Sequence, residues 1–136
     1  MRTLPRGLGA ITGAASVLVA VAAASRRFVR VEVCGHSMAP ELRPGDRVVA
    51  VRGLRARSGD VVATVDPREP ARLLVKRVVE VRGDGSVVLA GDNAGASTDS
   101  RSFGAVAPEL VVGRVVWRYQ PQDRRGRVNG RRRHVR

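Results

Sequence analysis

Lys76 is the only lysine of the chain, whereas arginine occurs 24 times. It lies in the apolar run Leu73-Leu74-Val75-Lys76-Arg77-Val78-Val79. A lysine withdrawn from water can lose its proton and act as a general base or as a Schiff-base nucleophile, whereas an arginine stays protonated in proteins. The use of lysine at this position therefore indicates either a catalytic amine or a lysine retained by chance on a strand.

Ser37 is the candidate nucleophile that such a base could activate, in the stretch Cys34-Gly35-His36-Ser37-Met38-Ala39-Pro40. The chain must turn here, because Pro40 restricts the residue before it and Pro44-Gly45 follows. Such a junction can expose a hydroxyl and leave a main-chain N–H free for an oxyanion, and Gly35 lets a substrate backbone come close. The pattern favours a serine–lysine dyad, with an ordinary turn serine as the alternative.

The two histidines are poor candidates for the base. His36 is the immediate neighbour of Ser37, and adjacent side chains of an extended backbone point to opposite faces. His134 lies in an arginine-rich terminus. With Cys34 as the single cysteine, the sequence excludes an internal disulfide and offers no zinc-type ligand spacing, so we expect neither a metal nor a cofactor.

A third polar stretch, Gly91-Asp92-Asn93-Ala94-Gly95-Ala96-Ser97-Thr98-Asp99-Ser100-Arg101, separates two apolar runs. It offers a hydroxyl at Ser97, a carboxylate at Asp99 and a guanidinium at Arg101. Such groups can form a supporting layer that orients a base. A plain surface loop is the alternative.

These three stretches, in this order, resemble the type I signal peptidase family of membrane-anchored serine–lysine proteases. The resemblance covers roughly residues 31–116, and the eleven-residue loop is its most specific part. It implies Ser37 as nucleophile, with its main-chain N–H donating to the oxyanion, and Lys76 as general base. It also implies that Ser97 positions the lysine amine and that Asp99 and Arg101 brace the loop. The supporting residues are Ser97, Asp99, Arg101, Asp92 and Asn93. The substrate cleft would be lined by Gly35, Met38 and Pro40.

Some positions depart from the family pattern. Glu41 stands where threonine is frequent, and Glu80 stands where glycine is usual. Only residues 77–90 separate Lys76 from the loop, so the accessory domain of some relatives is missing. This shortness also resembles the small nickel-type superoxide dismutase maturation proteases, which remove a leader from that enzyme's precursor. Both resemblances imply a serine endopeptidase that removes N-terminal leaders. A self-cleaving repressor is disfavoured, because no helix-turn-helix pattern precedes the domain.

Alternation of apolar and polar residues predicts a mainly β catalytic domain over residues 28–120. The predicted strands cover residues 28–33, 47–52, 60–65, 71–82, 86–90 and 110–119, with glycine-containing turns between them. Short strands at this spacing favour a small antiparallel, barrel-like fold. The resemblance identifies it with the signal-peptidase or repressor-protease type, preceded by one N-terminal hydrophobic helix.

Residues 7–25 carry no charge and are flanked by arginines. Nineteen helical residues at about 1.5 Å each would just span a hydrocarbon core of roughly 30 Å. We therefore expect residues 1–27 to form a single-pass membrane anchor. A cleaved signal peptide and a buried helix are the alternatives, the former because Ala22-Ala23-Ala24 resembles a cleavage site. The resemblance implies an extracytoplasmic catalytic domain, or a cytoplasmic one for a nickel-enzyme maturation protease.

The positive charge is concentrated at the C-terminus. Residues 123–136 hold seven arginines and one aspartate, a net of +6 out of the chain's formal +13. With little to bury, residues 121–136 are predicted to be a disordered arginine-rich tail. The tail could contact anionic lipid headgroups, and nucleic acid is the less favoured partner. The non-enzymatic alternative is a membrane-tethered β module that binds lipid or nucleic acid through this tail.

Overall fold

The computed structural model describes residues 26–128 as a seven-stranded antiparallel sheet. The strands are β1 (Phe28–Glu32), β2 (Arg47–Val51), β3 (Val61–Asp66), β4 (Glu69–Val81), β5 (Val87–Ala90), β6 (Val111–Gln120) and β7 (Gly126–Arg127). Their hydrogen-bonded order is β1-β2-β6-β3-β4-β5, and β7 pairs with β6. The mainly β, antiparallel fold predicted from the sequence is confirmed.

Within residues 26–128, Arg26 and Arg27 are helical, and the remaining helical structure is limited to single turns. One α-helical turn, α1 (Ser100–Phe103), follows the polar loop, and three 3-10 turns span Ala94–Ala96, Pro108–Leu110 and Gln122–Arg124. None of the helices in this part of the chain is long and apolar enough to cross a membrane. The predicted hydrophobic helix and membrane anchor of residues 7–25 lie outside the described residues.

Strand β3 is the centre of the sheet, because its neighbours β4 and β6 flank it and both of its faces are buried. Val61 and Ala63 pack into one apolar cluster, and Val62, on the opposite face, packs into a second. Burial of each valine or leucine side chain contributes about 1.5–3 kcal/mol. The two clusters hold β3 and β4 at fixed positions, and β4 carries the lysine.

Strand β4 is the longest strand, and it begins at Glu69 rather than at the predicted residue 71. Lys76 lies directly opposite Val62 of β3 in the register. Because side chains alternate along a strand, Lys76 shares a face with Leu74 and Val78, whereas Arg77 points to the other face. The sheet thus presents the amine on one side of β4 and the neighbouring guanidinium on the other.

Residues 121–128 are ordered in the structure, although the sequence predicted that they belong to a disordered tail. They form a 3-10 turn and the short strand β7, and Val128 is buried in the first apolar cluster. The run of arginines predicted disorder, because a sequence pattern does not show that Arg124 has a buried carboxylate partner, Asp46. The remaining tail, residues 129–136, lies outside the described residues.

Candidate active site

Lys76 is buried, with only 4% of its surface exposed. Its Nζ donates a hydrogen bond of 3.1 Å to Ser97 Oγ in the polar loop. Burial lowers the pKa of the Lys76 amine below its ordinary 10.5; Asp99 opposes this shift, and the positive charges of Arg72 and Arg68 add to it. Desolvation is the dominant cause, so β4 holds an amine that releases its proton more readily than a free lysine.

The loop residues Ser97, Asp99 and Arg101 form a continuous hydrogen-bonded chain behind the amine. Ser97 Oγ donates to Asp99 Oδ2 at 3.1 Å, so its lone pairs face the lysine. Arg101 Nε and Nη2 donate to the two oxygens of Asp99 at 2.9 and 3.1 Å. The carboxylate therefore orients the hydroxyl, and the hydroxyl orients the amine.

Asp99 is 1% exposed and is the N-cap of α1, where it accepts a hydrogen bond from Arg101 N. Burial by itself would raise the pKa of the Asp99 carboxyl. Hydrogen bonds from the side chain and main chain of Arg101, and from Gly91 N and Ser97, outweigh burial and hold this pKa at about 2. Asp99 is consequently a carboxylate, and only an acceptor, throughout the neutral range.

The turn that carries Ser37 is tied directly to the polar loop. Asn93 N donates to the carbonyl oxygen of Ser37 at 2.8 Å, and Asn93 Nδ2 donates to that of His36 at 3.1 Å. Within the turn, Leu42 N donates to Met38 O at 3.0 Å. Asn93 therefore fixes the main chain on which the Ser37 hydroxyl is mounted.

Gly91 lies between Ser97, which is hydrogen-bonded to Lys76, and the turn that carries Ser37 (the serine turn). A Cβ atom at this position would lie 2.3 Å from Ser97 Oγ and 2.6 Å from the carbonyl oxygen of Ser37. Both distances are far below van der Waals contact, so only glycine lets the two segments approach this closely. The sequence showed a glycine in a loop and gave no sign of this close contact.

Arg77 and Asp92 form a second, separate support. Arg77 Nε and Nη2 donate to the two carboxylate oxygens of Asp92 at 2.7 and 2.8 Å, and Arg77 Nη1 donates to Gly59 O at 2.7 Å. Both side chains are at most 10% exposed. A buried bidentate pair fixes orientation as well as distance, so it joins the start of the polar loop to β4 immediately beside Lys76.

Ser37 and Lys76 line the same cleft, which has a volume of about 250 Å³. One wall is formed by residues 32–37, including Gly35, and the other by Arg68 and residues 72–76, with Ala96 and Thr98 between them. The structure therefore brings together the predicted nucleophile, the predicted base and one of the three predicted cleft residues.

Met38 and Pro40 do not line the cleft, although the family resemblance implied that they would. Met38 is 1% exposed and packs in the first apolar cluster, while Pro40 is exposed outside the cleft lining. Ser37 and Met38 are neighbours, and the apolar thioether side chain points into the core while Ser37 lines the cleft. Met38 thus holds the turn that carries Ser37 against the apolar core and does not line the cleft.

Asp46, Arg118 and Arg124 support the same turn and were missed by sequence reasoning. Asp46 is 2% exposed and accepts hydrogen bonds from Arg43 N at 2.9 Å and Arg124 Nη1 at 2.8 Å. Arg118 Nη1 lies 3.6 Å from Asp46 Oδ2 and donates to Glu41 O at 2.8 Å. These residues are too far apart in the chain for a local pattern to reveal them, and arginine is too frequent here to single out two.

The fold and the cleft define a class of protein. It is an antiparallel β domain in which a turn with a serine, a strand with a buried lysine and a polar loop surround one cavity. A family model described as signal peptidase, peptidase S26, matches residues 8–85 and 83–120. The chain belongs to this signal peptidase family.

Curated relatives agree with that assignment. Mitochondrial inner membrane protease subunit 2 of Danio rerio is 31% identical over 151 aligned positions, covering 84% of this chain and 82% of that protein. Mitochondrial ATP-independent inner membrane protease subunit 1a of Arabidopsis thaliana is 33% identical, covering 67% and 70%. Mitochondrial inner membrane protease subunit 2 of Mus musculus is 33% identical, covering 71% and 69%. The chain is thus similar to membrane proteases over most of its length.

Proposed function

We propose that the chain is a serine endopeptidase that removes N-terminal leader peptides, with Ser37 as nucleophile and Lys76 as general base. The observation that carries the proposal is the buried amine of Lys76, which lines the same cleft as Ser37 and is hydrogen-bonded to Ser97. Membership of the signal peptidase family supports the reaction class.

In this mechanism Ser37 Oγ attacks the carbonyl carbon of the scissile peptide bond while its proton passes to Lys76 Nζ. The main-chain N–H of Ser37 donates to the oxygen that becomes negatively charged. The protonated lysine then gives the proton to the leaving amine, and an acyl-enzyme remains on Ser37. Lys76 next takes a proton from water, the hydroxide cleaves the ester, and the proton returns to the serine oxygen.

The reaction needs an uncharged lysine that still points at the serine. Burial favours the uncharged form, since a charge in this apolar setting loses its hydration. The hydrogen bond to Ser97 uses one N–H of the amine and leaves its lone pair available for the serine proton. An arginine at this position could not fulfil the role, because its guanidinium stays protonated.

The membrane setting is part of the proposal. The relatives are inner membrane proteases by name, and residues 7–25 of this chain are apolar enough to form an anchor. The catalytic domain would follow the anchor directly from residue 28, so cleavage would occur close to the bilayer surface. The extracytoplasmic placement stays a prediction.

The substrate class follows from the family resemblance, which implies small side chains before the cleaved bond. The nickel-type superoxide dismutase precursor stays an untested alternative substrate and gains no support from the relatives named above.

A peptide-cleavage assay tests the function. The full-length chain in detergent is incubated with a synthetic leader peptide that carries alanine at the first and third positions before the expected cleavage point, and products are identified by mass spectrometry. We expect cleavage by the native chain and by Ser102→Ala, whose exposed serine is outside the cleft, and none by Ser37→Ala. An active Ser37→Ala variant would remove the proposed nucleophile.

A further inference from the structure

A second and larger cavity lies away from the serine–lysine cleft and shares no lining residue with it. Its volume is about 860 Å³. Its walls come from the loop of residues 53–58, from the β4–β5 turn at residues 81–85, and from Val87, Pro108 and residues 111–113. The proposed protease mechanism uses none of these residues.

The cavity combines positive charge with apolar surface. Arg55, Arg57 and Arg82 line it, and none of the three forms an ion pair with a carboxylate among the described residues. Asp84 is the one acidic lining residue; its carboxylate accepts hydrogen bonds from Ser86 N and Oγ, and it interacts electrostatically with Arg82. The net charge of the lining is therefore positive.

The apolar part of the lining includes two exposed large side chains. Leu54 and Val81 are 40% and 41% exposed. Large apolar side chains beside an excess of guanidiniums over carboxylates match a ligand that is anionic at one end and hydrocarbon at the other. A free inorganic anion would use only the charged half of this surface.

The cavity begins at the point where the N-terminal segment enters the domain. Arg52 N donates to Arg27 O at 2.8 Å, and Gly53, the next residue, is the first lining residue of the cavity. Phe28, which follows Arg27, is 53% exposed. An anchor that ends near residue 25 would hold this edge of the domain, and with it the part of the cavity wall that begins at Gly53, close to the membrane surface.

We infer that this cavity binds the headgroup and upper acyl chains of an anionic phospholipid of the membrane in which the chain is anchored. Arg55, Arg57 and Arg82 would hold the phosphodiester, and Leu54 and Val81 would contact the hydrocarbon. The inference rests on the proposed anchoring by residues 7–25, and it does not depend on Ser37 or Lys76. It differs from lipid contact by the C-terminal tail, because the cavity lies within the folded domain.

Native mass spectrometry of the full-length chain released from detergent tests this inference. The chain is titrated with dioleoylphosphatidylglycerol or dioleoylphosphatidylcholine. We expect one phosphatidylglycerol to bind at least tenfold more tightly than phosphatidylcholine, because each arginine at an anionic headgroup adds appreciable affinity. The double variant Arg55→Gln/Arg57→Gln should lose this preference, whereas Arg43→Gln/Arg47→Gln, which removes the same charge outside the cavity, should keep it.

Three results would overturn the inference. They are equal affinity for the two lipids, equal losses in both double variants, and equally tight binding of glycerophosphoglycerol, which lacks acyl chains. Ser37→Ala should bind phosphatidylglycerol as the native chain does, and Arg55→Gln/Arg57→Gln should cleave the leader peptide in lipid-free detergent within about twofold of the native rate. Lipid binding and peptidase activity therefore fail or succeed separately.

Discussion

Lys76 Nζ lies 3.1 Å from Ser97 Oγ, and that hydroxyl is itself held by the carboxylate of Asp99. The amine is thus oriented by a neutral hydroxyl, while the negative charge lies one side chain further along the hydrogen-bonded chain. Direct contact with a carboxylate would stabilise the ammonium form and raise the lysine pKa. Because Ser97 lies between the two groups, it orients the amine while the carboxylate raises the lysine pKa less than direct contact would.

Replacement of Lys76 should abolish cleavage. We expect Lys76→Arg and Lys76→Met to lower kcat/KM for the leader peptide by at least a thousandfold, because neither side chain can accept the serine proton. Far-ultraviolet circular dichroism should show the native β spectrum for both variants. Measurable turnover by either variant would refute the assignment of the base.

Lys76→Met should also stabilise the fold at neutral pH. The pKa of Lys76 is lowered on folding, so protonating this amine costs stability below the folded-state pKa, and the cost fades as pH rises toward 10.5. An apolar side chain of similar length removes it, with a gain on the order of 1 kcal/mol. Chemical denaturation at pH 6 and pH 10 should show a larger gain at pH 6; a gain independent of pH would contradict the linkage.

The pH–rate profile should rise through one ionisation below 10.5, as Lys76 loses its proton. The positive charge of Arg72 lowers the pKa of this amine, so Arg72→Gln should move the rising limb to higher pH. Arg43→Gln, outside the cleft, serves as the charge-matched control and should leave the limb in place. A flat profile from pH 6 to 10 in the native chain would argue against a titrating amine.

Gly91→Ala should damage catalysis far more than stability of the β sheet. The added methyl group must displace Ser97 Oγ or the carbonyl oxygen of Ser37, which lie within 2.6 Å of its ideal position. We expect kcat to fall by roughly a hundredfold or more, because misplacement by about 1 Å can have that effect. Gly95→Ala is the matched control in the same loop, since its Cβ would meet no atom within 4 Å, and it should keep native kcat.

Asp99→Asn should be less stable than the native chain at pH 7. The pKa of Asp99 falls from 3.8 to about 2 on folding, so the carboxylate contributes stability that is complete above its unfolded-state pKa and is lost as pH falls through about 2. The contribution is about 2 kcal/mol. Denaturation midpoints of the native chain and the variant should converge as pH falls toward 2, and an undiminished gap at pH 2 would show that ionisation is not the cause.

Arg124 should matter for both stability and rate, although it lies in a charge run. Arg124→Gln removes a 2.8 Å hydrogen bond to buried Asp46 and should cost about 1–3 kcal/mol. Arg127→Gln, which removes an exposed arginine of β7, is the control.

Deletion of residues 129–136 should leave cleavage intact, and deletion of residues 121–136 should abolish it; retained activity in the larger deletion would rule out a role for this segment.

The sequence predicted the sheet because period-two alternation reports directly on strands with one or two buried faces. It also placed Ser37, Lys76 and the polar loop in order, and the structure gathers all three at one cleft. It could not predict that Met38 packs in the core, since the motif does not say which neighbour of the serine faces inward. It missed Asp46 with Arg124 because their contact spans 78 residues of chain, a separation at which local patterns carry no information.

The hydrogen bond between Asp46 and Arg124 joins two residues that are 78 positions apart in the chain. During synthesis the turn that carries Ser37 leaves the ribosome before Arg118 and Arg124, so Asp46 lacks both guanidinium partners until residue 124 has emerged. The support of the turn that carries Ser37 is therefore completed only after residue 124 has been synthesised, and in shorter nascent chains the proposed nucleophile lies on a turn whose buried carboxylate has no guanidinium partner.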